Sequence, residues 1–134
     1  MNYWLMKSEP DVYSWDDLVR DKKTVWEGVR NYQARNNLKA MKKGDLAFFY
    51  HSNEGKAIVG IAKIVKEHYP DPTDNEWSVV DISPDKKLKT PITLAQIKSD
   101  KRLTDMALVR VSRLSVQPVK KEEFDMVIAL SEGK

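Results

Sequence analysis

Apolar and polar positions along the chain follow two rhythms, and the switches between them mark the elements. The strongest signal is central. Leu46-Ala47-Phe48-Phe49-Tyr50-His51 and Ala57-Ile58-Val59-Gly60-Ile61-Ala62-Lys63-Ile64-Val65 flank Ser52-Asn53-Glu54-Gly55. That pattern predicts a β-hairpin with a four-residue loop. Both arms are apolar on both faces, so both belong to a covered part of a sheet. Tyr3 to Lys7 predicts a first strand, Trp77 to Ile82 another, and Met106 to Val111 one more. Helix starts carry their own signatures. Ser14 caps a helix that begins Trp15-Asp16-Asp17-Leu18, Asp17 takes the reciprocal capping position, and Tyr13 is placed to staple onto Leu18. Asn31 caps a second helix to about Met41, with Leu38 and Met41 inward, and Lys42-Lys43-Gly44-Asp45 turns the chain out of it. Thr93 and Gln96 form a capping box for a short helix to about Ser99, and a last helix starts near Lys120 and runs through Phe124, Val127 and Ile128. Pro70, Pro72, Pro84, Pro91 and Pro118 are expected in the intervening turns, where a missing N–H does least harm.

Five to six strands with short helices, not in regular βαβ alternation, imply an α+β class: a mixed sheet curled toward a barrel, with helices outside. No repeat or low-complexity linker interrupts residues 1–134, so a single domain is expected. An apolar fraction of 41% against 32% charged residues fits a globular chain rather than a disordered one. The net charge of +3 is a mild excess, compatible with a nucleic-acid partner. The chain has no cysteine and only His51 and His68, which excludes disulfides, thiolate chemistry and a His-rich metal site. Met-Asn-Tyr-Trp-Leu-Met-Lys turns polar too soon for a signal peptide, and the most apolar run, Ala57 to Val65, contains Gly60 and Lys63. The expectation is therefore a soluble cytoplasmic protein (nuclear in a eukaryote) with no membrane partner.

The candidate chemistry lies in Trp26-Glu27-Gly28-Val29-Arg30-Asn31, read with Lys7-Ser8-Glu9-Pro10. Trp26 offers a flat apolar wall. Gly28 and Val29 offer backbone that a ligand can approach closely, Arg30 a fixed positive charge, and Asn31 an amide that donates and accepts. Those parts suit a planar, polar object such as a nucleobase on its phosphodiester. Each has a plainer reading: Trp26 as core, Asn31 as helix cap, and Arg30 as partner of Glu9 or Glu27. Trp4 and Trp15 read as structural. Tyr50 and His51 point to opposite faces of their strand, so one is buried and the other lines something, with His51 the better fit to a structural histidine. Arg110 and Arg113 interrupt an apolar strand and its exit, which makes them, with Arg30, candidate phosphate contacts. No Gly-x-Ser-x-Gly elbow, phosphate-binding glycine loop or metal-ligand cluster is present. Glu9 and His51 make an acid/base pair only if the fold brings them together. No catalytic residue, metal or cofactor is expected.

Tyr3-Trp4-Leu5-Met6-Lys7-Ser8-Glu9-Pro10, the Trp26-to-Asn31 segment, Lys43 to Ser52, Gly60-Ile61-Ala62 and Asp105 to Val111 together resemble the EVE domain family over almost the whole chain. One departure is Lys120, which stands where a threonine cap is usual. The resemblance implies a PUA-like fold, similar to the YTH domains that read N6-methyladenine in RNA through an aromatic cage. It further implies recognition of a modified base, modified cytosine in DNA first, with DNA and RNA both open. By analogy with YTH domains, Lys7 and Ser8 follow the first strand, Trp26 stacks on the base, and Tyr50-His51-Ser52 form an opposite side. Ser8, Asn31 and Ser52 supply donors and acceptors for the base edge, and Trp77 or Tyr50 is the second wall. The expected partner is nucleic acid, with an effector nuclease or another protein as a further candidate, and the chain is expected to be monomeric. Two other function classes stay open: a small hydrolase or nuclease, and a module that holds a methylated amine in the same cage.

Overall fold

Local sequence decides the helix starts. In the computed structural model, which describes residues 1–133, Ser14 Oγ accepts the Asp17 N–H at 3.1 Å and Asp17 Oδ2 accepts the Ser14 N–H at 2.9 Å. This reciprocal pair opens α1, Trp15–Asp21. Asn31 Oδ1 accepts the Ala34 N–H at 2.9 Å and opens α2, Tyr32–Ala40. Thr93 and Gln96 cap each other at the start of α3, Leu94–Ser99. A four-residue α4, Ala107–Arg110, follows. The last helix, α5, spans Lys121–Ser131; without a threonine the start keeps half of the box, Glu123 Oε1 accepting the Lys120 N–H at 2.9 Å.

Six strands form one sheet: β1 (Tyr3–Ser8), β2 (Thr24–Trp26), β3 (Leu46–His51), β4 (Ala57–Asp71), β5 (Asp74–Thr93) and β6 (Val116–Val119), in the order β2-β5-β4-β3-β1-β6. β1 and β3 are parallel, joined by the crossover through α1, β2 and α2; the other neighbours are antiparallel. The sheet is mixed, curled and unclosed. Five register shifts between β4 and β5 supply the bulges that bend these two long strands.

Both faces of the central hairpin are covered, as its double apolar pattern predicts. Trp4, Met6, Ala47 and Phe49 lie on one face with Trp15 and Leu18 of α1 and Ala34 and Leu38 of α2. Leu5, Phe48, Tyr50 and Ile58 lie on the other with Ile97, Leu108, Phe124 and Val127. Tyr13 rests against the first cluster, which contains Leu18. Trp4 is structural: its indole N–H donates to the buried Asp45 Oδ2 at 3.0 Å.

Three expectations are corrected. The loop of the central hairpin runs over five residues, 52–56, and not four, because Lys56 also precedes the second arm. Met106 to Val111 is not a strand: the Met106 carbonyl accepts N–H groups from Val109 and Arg110, and the segment is the helical turn α4. A short apolar run carries no period that separates the two states. The place beside β1 goes to Val116–Val119 instead, a strand that Pro118 disguises. The prolines are not confined to turns either. Pro70 lies in β4, Pro84 and Pro91 in β5, and Pro118 in β6; only Pro72 sits in the tight β4–β5 turn. Pro118 is on an edge strand, and Pro70 and Pro84 stand at register shifts, places where a strand tolerates a missing N–H. No described helix is long and apolar enough to cross a membrane.

Candidate nucleic-acid interface

The end of β1 and the stretch from β2 into α2 come together around a cavity of about 530 Å3. Lys7, Ser8, Glu9, Trp26, Gly28, Val29 and Arg30 all line it, so seven of the residues singled out in the sequence share one site. The lining also includes Val12, Tyr13, Thr24, Val25, Glu27 and Ser115. Ser115 arrives from far along the chain because β6 pairs with β1, and its carbonyl accepts the Lys7 N–H at 2.9 Å. β2 is not among the strands expected from the sequence; the β-branched Thr24 and Val25 before Trp26 are the local signal for it.

Trp26 closes β2, paired with Val80. It is 9% exposed and meets Phe49 edge-on, centroids 5.8 Å apart at 90°. It is both cavity wall and core, so the two readings of this residue are not exclusive. Gly28 takes φ +81°, a region that other residues enter only with strain, and this turn buries the Val29 side chain while sending Arg30 outward.

Arg30 pairs with neither Glu9 nor Glu27. Its Nη1 donates to Asp71 Oδ2 at 3.2 Å and to the Val29 carbonyl at 2.9 Å, and its Nη2 donates to Thr73 Oγ1 at 3.3 Å. The Arg30 side chain stays 42% exposed while Asp71 is buried. The guanidinium therefore ties the cavity wall to the β4–β5 turn and keeps donors toward solvent. Hydrogen bonds from Thr73, then Arg30, hold the Asp71 carboxyl below the usual carboxylate range.

On the opposite side, the Lys7 ammonium is half-buried and donates to the Ser112 carbonyl; burial lowers it from its ordinary value. Ser8 Oγ donates to the Tyr13 carbonyl at 2.6 Å, which leaves its lone pairs free to accept. The Glu9 carbonyl accepts the Val12 and Tyr13 N–H groups at 2.9 Å, the turn that carries exposed Val12 to the rim. The lining thus holds two cationic and two anionic side chains, Lys7 and Arg30 against Glu9 and Glu27, around an apolar wall.

Seven sequence candidates lie outside this lining. The Asn31 side chain is spent on the α2 cap. Tyr50 is 3% exposed in the opposite core cluster. Ser52 supports the wall from behind, its N–H donating to the Ser8 carbonyl at 2.9 Å. Trp77 stacks on Tyr32, with centroids 5.0 Å apart. His51 Nε2 accepts the Trp15 N–H at 3.0 Å, so Glu9 and His51 do not share the cavity. Arg110 is exposed and pairs with Asp105 at 2.8 Å. Arg113 is exposed on the turn between Ser112, which holds Lys7, and Ser115 of the lining.

His51 gives a pH dependence with a definite sign. Burial, opposed by the Asp16 charge, lowers it below its ordinary 6.5, and only the neutral ring accepts the Trp15 N–H. As pH falls through 6.5 the unfolded chain takes up this proton before the folded one, so stability is full above that value and declines below it. Melting temperature should drop between about pH 7.5 and about pH 5.5, and His51→Gln, which keeps an acceptor without titrating, should drop less. Parallel profiles for the two proteins would remove His51 as the cause.

The EVE domain family matches residues 2–130. Human thymocyte nuclear protein 1 is 42% identical over 167 residues, covering 98% of this chain and 74% of its own length. A solution structure of a protein from Rhodopseudomonas palustris is 54% identical, with a TM-score of 0.95 over 98% of this chain and 94% of that one. A crystal structure of the human THYN1 protein in complex with 5-methylcytosine containing DNA is 40% identical, with a TM-score of 0.93 over 100% of this chain and 99% of that one.

Proposed function

The chain belongs to the EVE domain family, and on that premise we propose that it is a non-catalytic module whose Trp26 cavity takes a modified base of a nucleic acid, 5-methylcytosine in DNA first. The observation that carries this reading is the human relative of the same fold, 40% identical over the whole chain, in complex with 5-methylcytosine containing DNA. The cavity supports it. Trp26 offers the aromatic wall, and stacking on such a wall contributes about 1–3 kcal/mol per base without regard to sequence. Ser8 Oγ, the Lys7 ammonium and the Gly28–Val29 backbone offer the acceptor and donors that discriminate at the base edge. A base inside a duplex has no free face, so the cavity takes it from a single strand or flipped out of the stack. Arg30, exposed in the lining, and Arg113, exposed on the turn beside Ser115, take the neighbouring phosphates, and Arg110 is a further candidate. The same reading has the chain act as a monomer inside the cell, alone or beside an effector nuclease.

Titration of labelled oligonucleotides that differ only in one cytosine methyl group tests this. Tighter binding of the methylated strand, weakening as salt rises through release of counterions, is the expected result. Equal or absent binding of both strands sinks the reading. A second reading has its own support: Glu9 and Glu27 in the lining suit a cation, so a methylated amine is the alternative occupant. Displacement of the methylated strand by trimethyl-lysine distinguishes the two.

A further inference from the structure

Beside the cavity lies a cluster that the base pocket does not use. Tyr32, the first residue of α2, stacks on Trp77 with centroids 5.0 Å apart and planes 26° from parallel, yet it is 57% exposed. The Arg35 guanidinium lies 4.9 Å from the Tyr32 ring and 5.8 Å from the Trp77 ring, and Arg30 lies 5.6 Å from Trp77. Tyr32, Trp77 and Arg35 are thus nearly equidistant. Arg35 stands beside the stack, since on the far face of Tyr32 it would be roughly twice as distant from Trp77. With more than half of the residue exposed, Tyr32 keeps ring surface for a further partner.

The ring is also held in place. Tyr32 Oη donates to Glu76 Oε1 at 2.9 Å, and Arg35 Nη1 donates to the Glu76 carbonyl at 3.2 Å. Two neighbouring carboxylates are engaged, Glu76 by Tyr32 and Asp71 by Arg30 and Thr73. Arg30 belongs to both sites: it lines the cavity and stacks on Trp77. Cavity, Arg30, Trp77 and Tyr32 therefore follow one another across the surface, a cationic side chain between two aromatic ones. Bases of a single strand stack on exposed rings of this kind, and their phosphates pair with the interleaved cations.

We propose that Tyr32, backed by Trp77, is a second stacking position that holds a nucleotide flanking the base in the Trp26 cavity. The inference rests on the reading of that cavity as a base pocket. It predicts that the protein grips a short single strand and not an isolated base. The competing role is a clamp that fastens the β4–β5 turn to α2, and two substitutions separate the roles. Tyr32→Phe keeps the ring and drops the Glu76 hydrogen bond. Tyr32→Leu keeps apolar cover on Trp77 and removes the aromatic face.

Each protein is titrated with a single strand that carries one 5-methylcytosine, with its unmethylated counterpart, and with the methylated strand made abasic at both flanking positions. The wild-type protein should bind the intact strand about 5- to 150-fold tighter than the abasic one, the range for stacking of one base on a ring. Tyr32→Phe should keep that ratio, and Tyr32→Leu should bring it close to one. A ratio retained in Tyr32→Leu, or lost equally in Tyr32→Phe, overturns the proposal and leaves the base pocket standing. A wild-type protein that ignores the methyl group overturns the base pocket, and this inference with it.

Discussion

Trp26→Ala is expected to abolish discrimination of the methylated base and to destabilise the fold by about 3 kcal/mol, the lower end of the range for truncating a buried aromatic residue. The two effects share one cause. The ring that walls the cavity also meets Phe49 edge-on within the core cluster and is only 9% exposed. Truncation removes a stacking surface and leaves a void beside Phe49. Trp26→Phe is the sharper probe: it keeps most of the contact with Phe49 and shrinks the wall, so stability should fall little while affinity for the methylated strand falls several-fold. Denaturant titration and binding isotherms on both variants check this. A Trp26→Ala protein that melts like wild type would show that the ring is not embedded as described.

The second large effect is expected at Gly60→Ala. A β-carbon there would stand 2.6 Å from Trp15 Cζ3 and 2.7 Å from two further ring carbons, closer than van der Waals contact permits. Trp15 cannot yield easily. It is 3% exposed and lies edge-on to Phe49 at 5.7 Å, and its backbone N–H is tied to His51. One added methyl must therefore displace α1 from the sheet, and overpacking of this kind costs about 1–3 kcal/mol. Adding Trp15→Phe makes room, so the double variant should be less destabilised than the sum of the two single ones. Strict additivity would mean that the ring and the glycine do not touch.

Much of this molecule was legible because its signals are local. Ser14 with Asp17, Asn31 and Thr93 with Gln96 each announce a helix within four residues of sequence, and all form as read. The hairpin of β3 and β4 was legible because both its faces are apolar. One side of the cavity was legible for the same reason, since Trp26 to Arg30 are contiguous. Topology supplied what local pattern cannot. Ser115 reaches the cavity only because β6 pairs with β1, and Val12 only because the Glu9 turn folds back over it. The partner of Arg30 was misjudged because Asp71 lies at the far end of the long β4, close in space and distant in sequence. Tyr50 reads as a wall in one dimension, yet its side chain faces the opposite core. The 107–110 segment shows the limit of periodicity: four apolar-rich residues fit a helical turn as well as a strand.

The most direct test of the central claim is an amide and indole nuclear magnetic resonance titration with a short single strand carrying one 5-methylcytosine. Saturable shifts of the Trp26 indole and of the Ser8, Gly28 and Arg30 amides, weaker with the unmethylated strand, are the predicted result. Shifts confined to the open groove lined by Met1, Trp4, Pro118 and Lys121, with Trp26 unmoved, would contradict it.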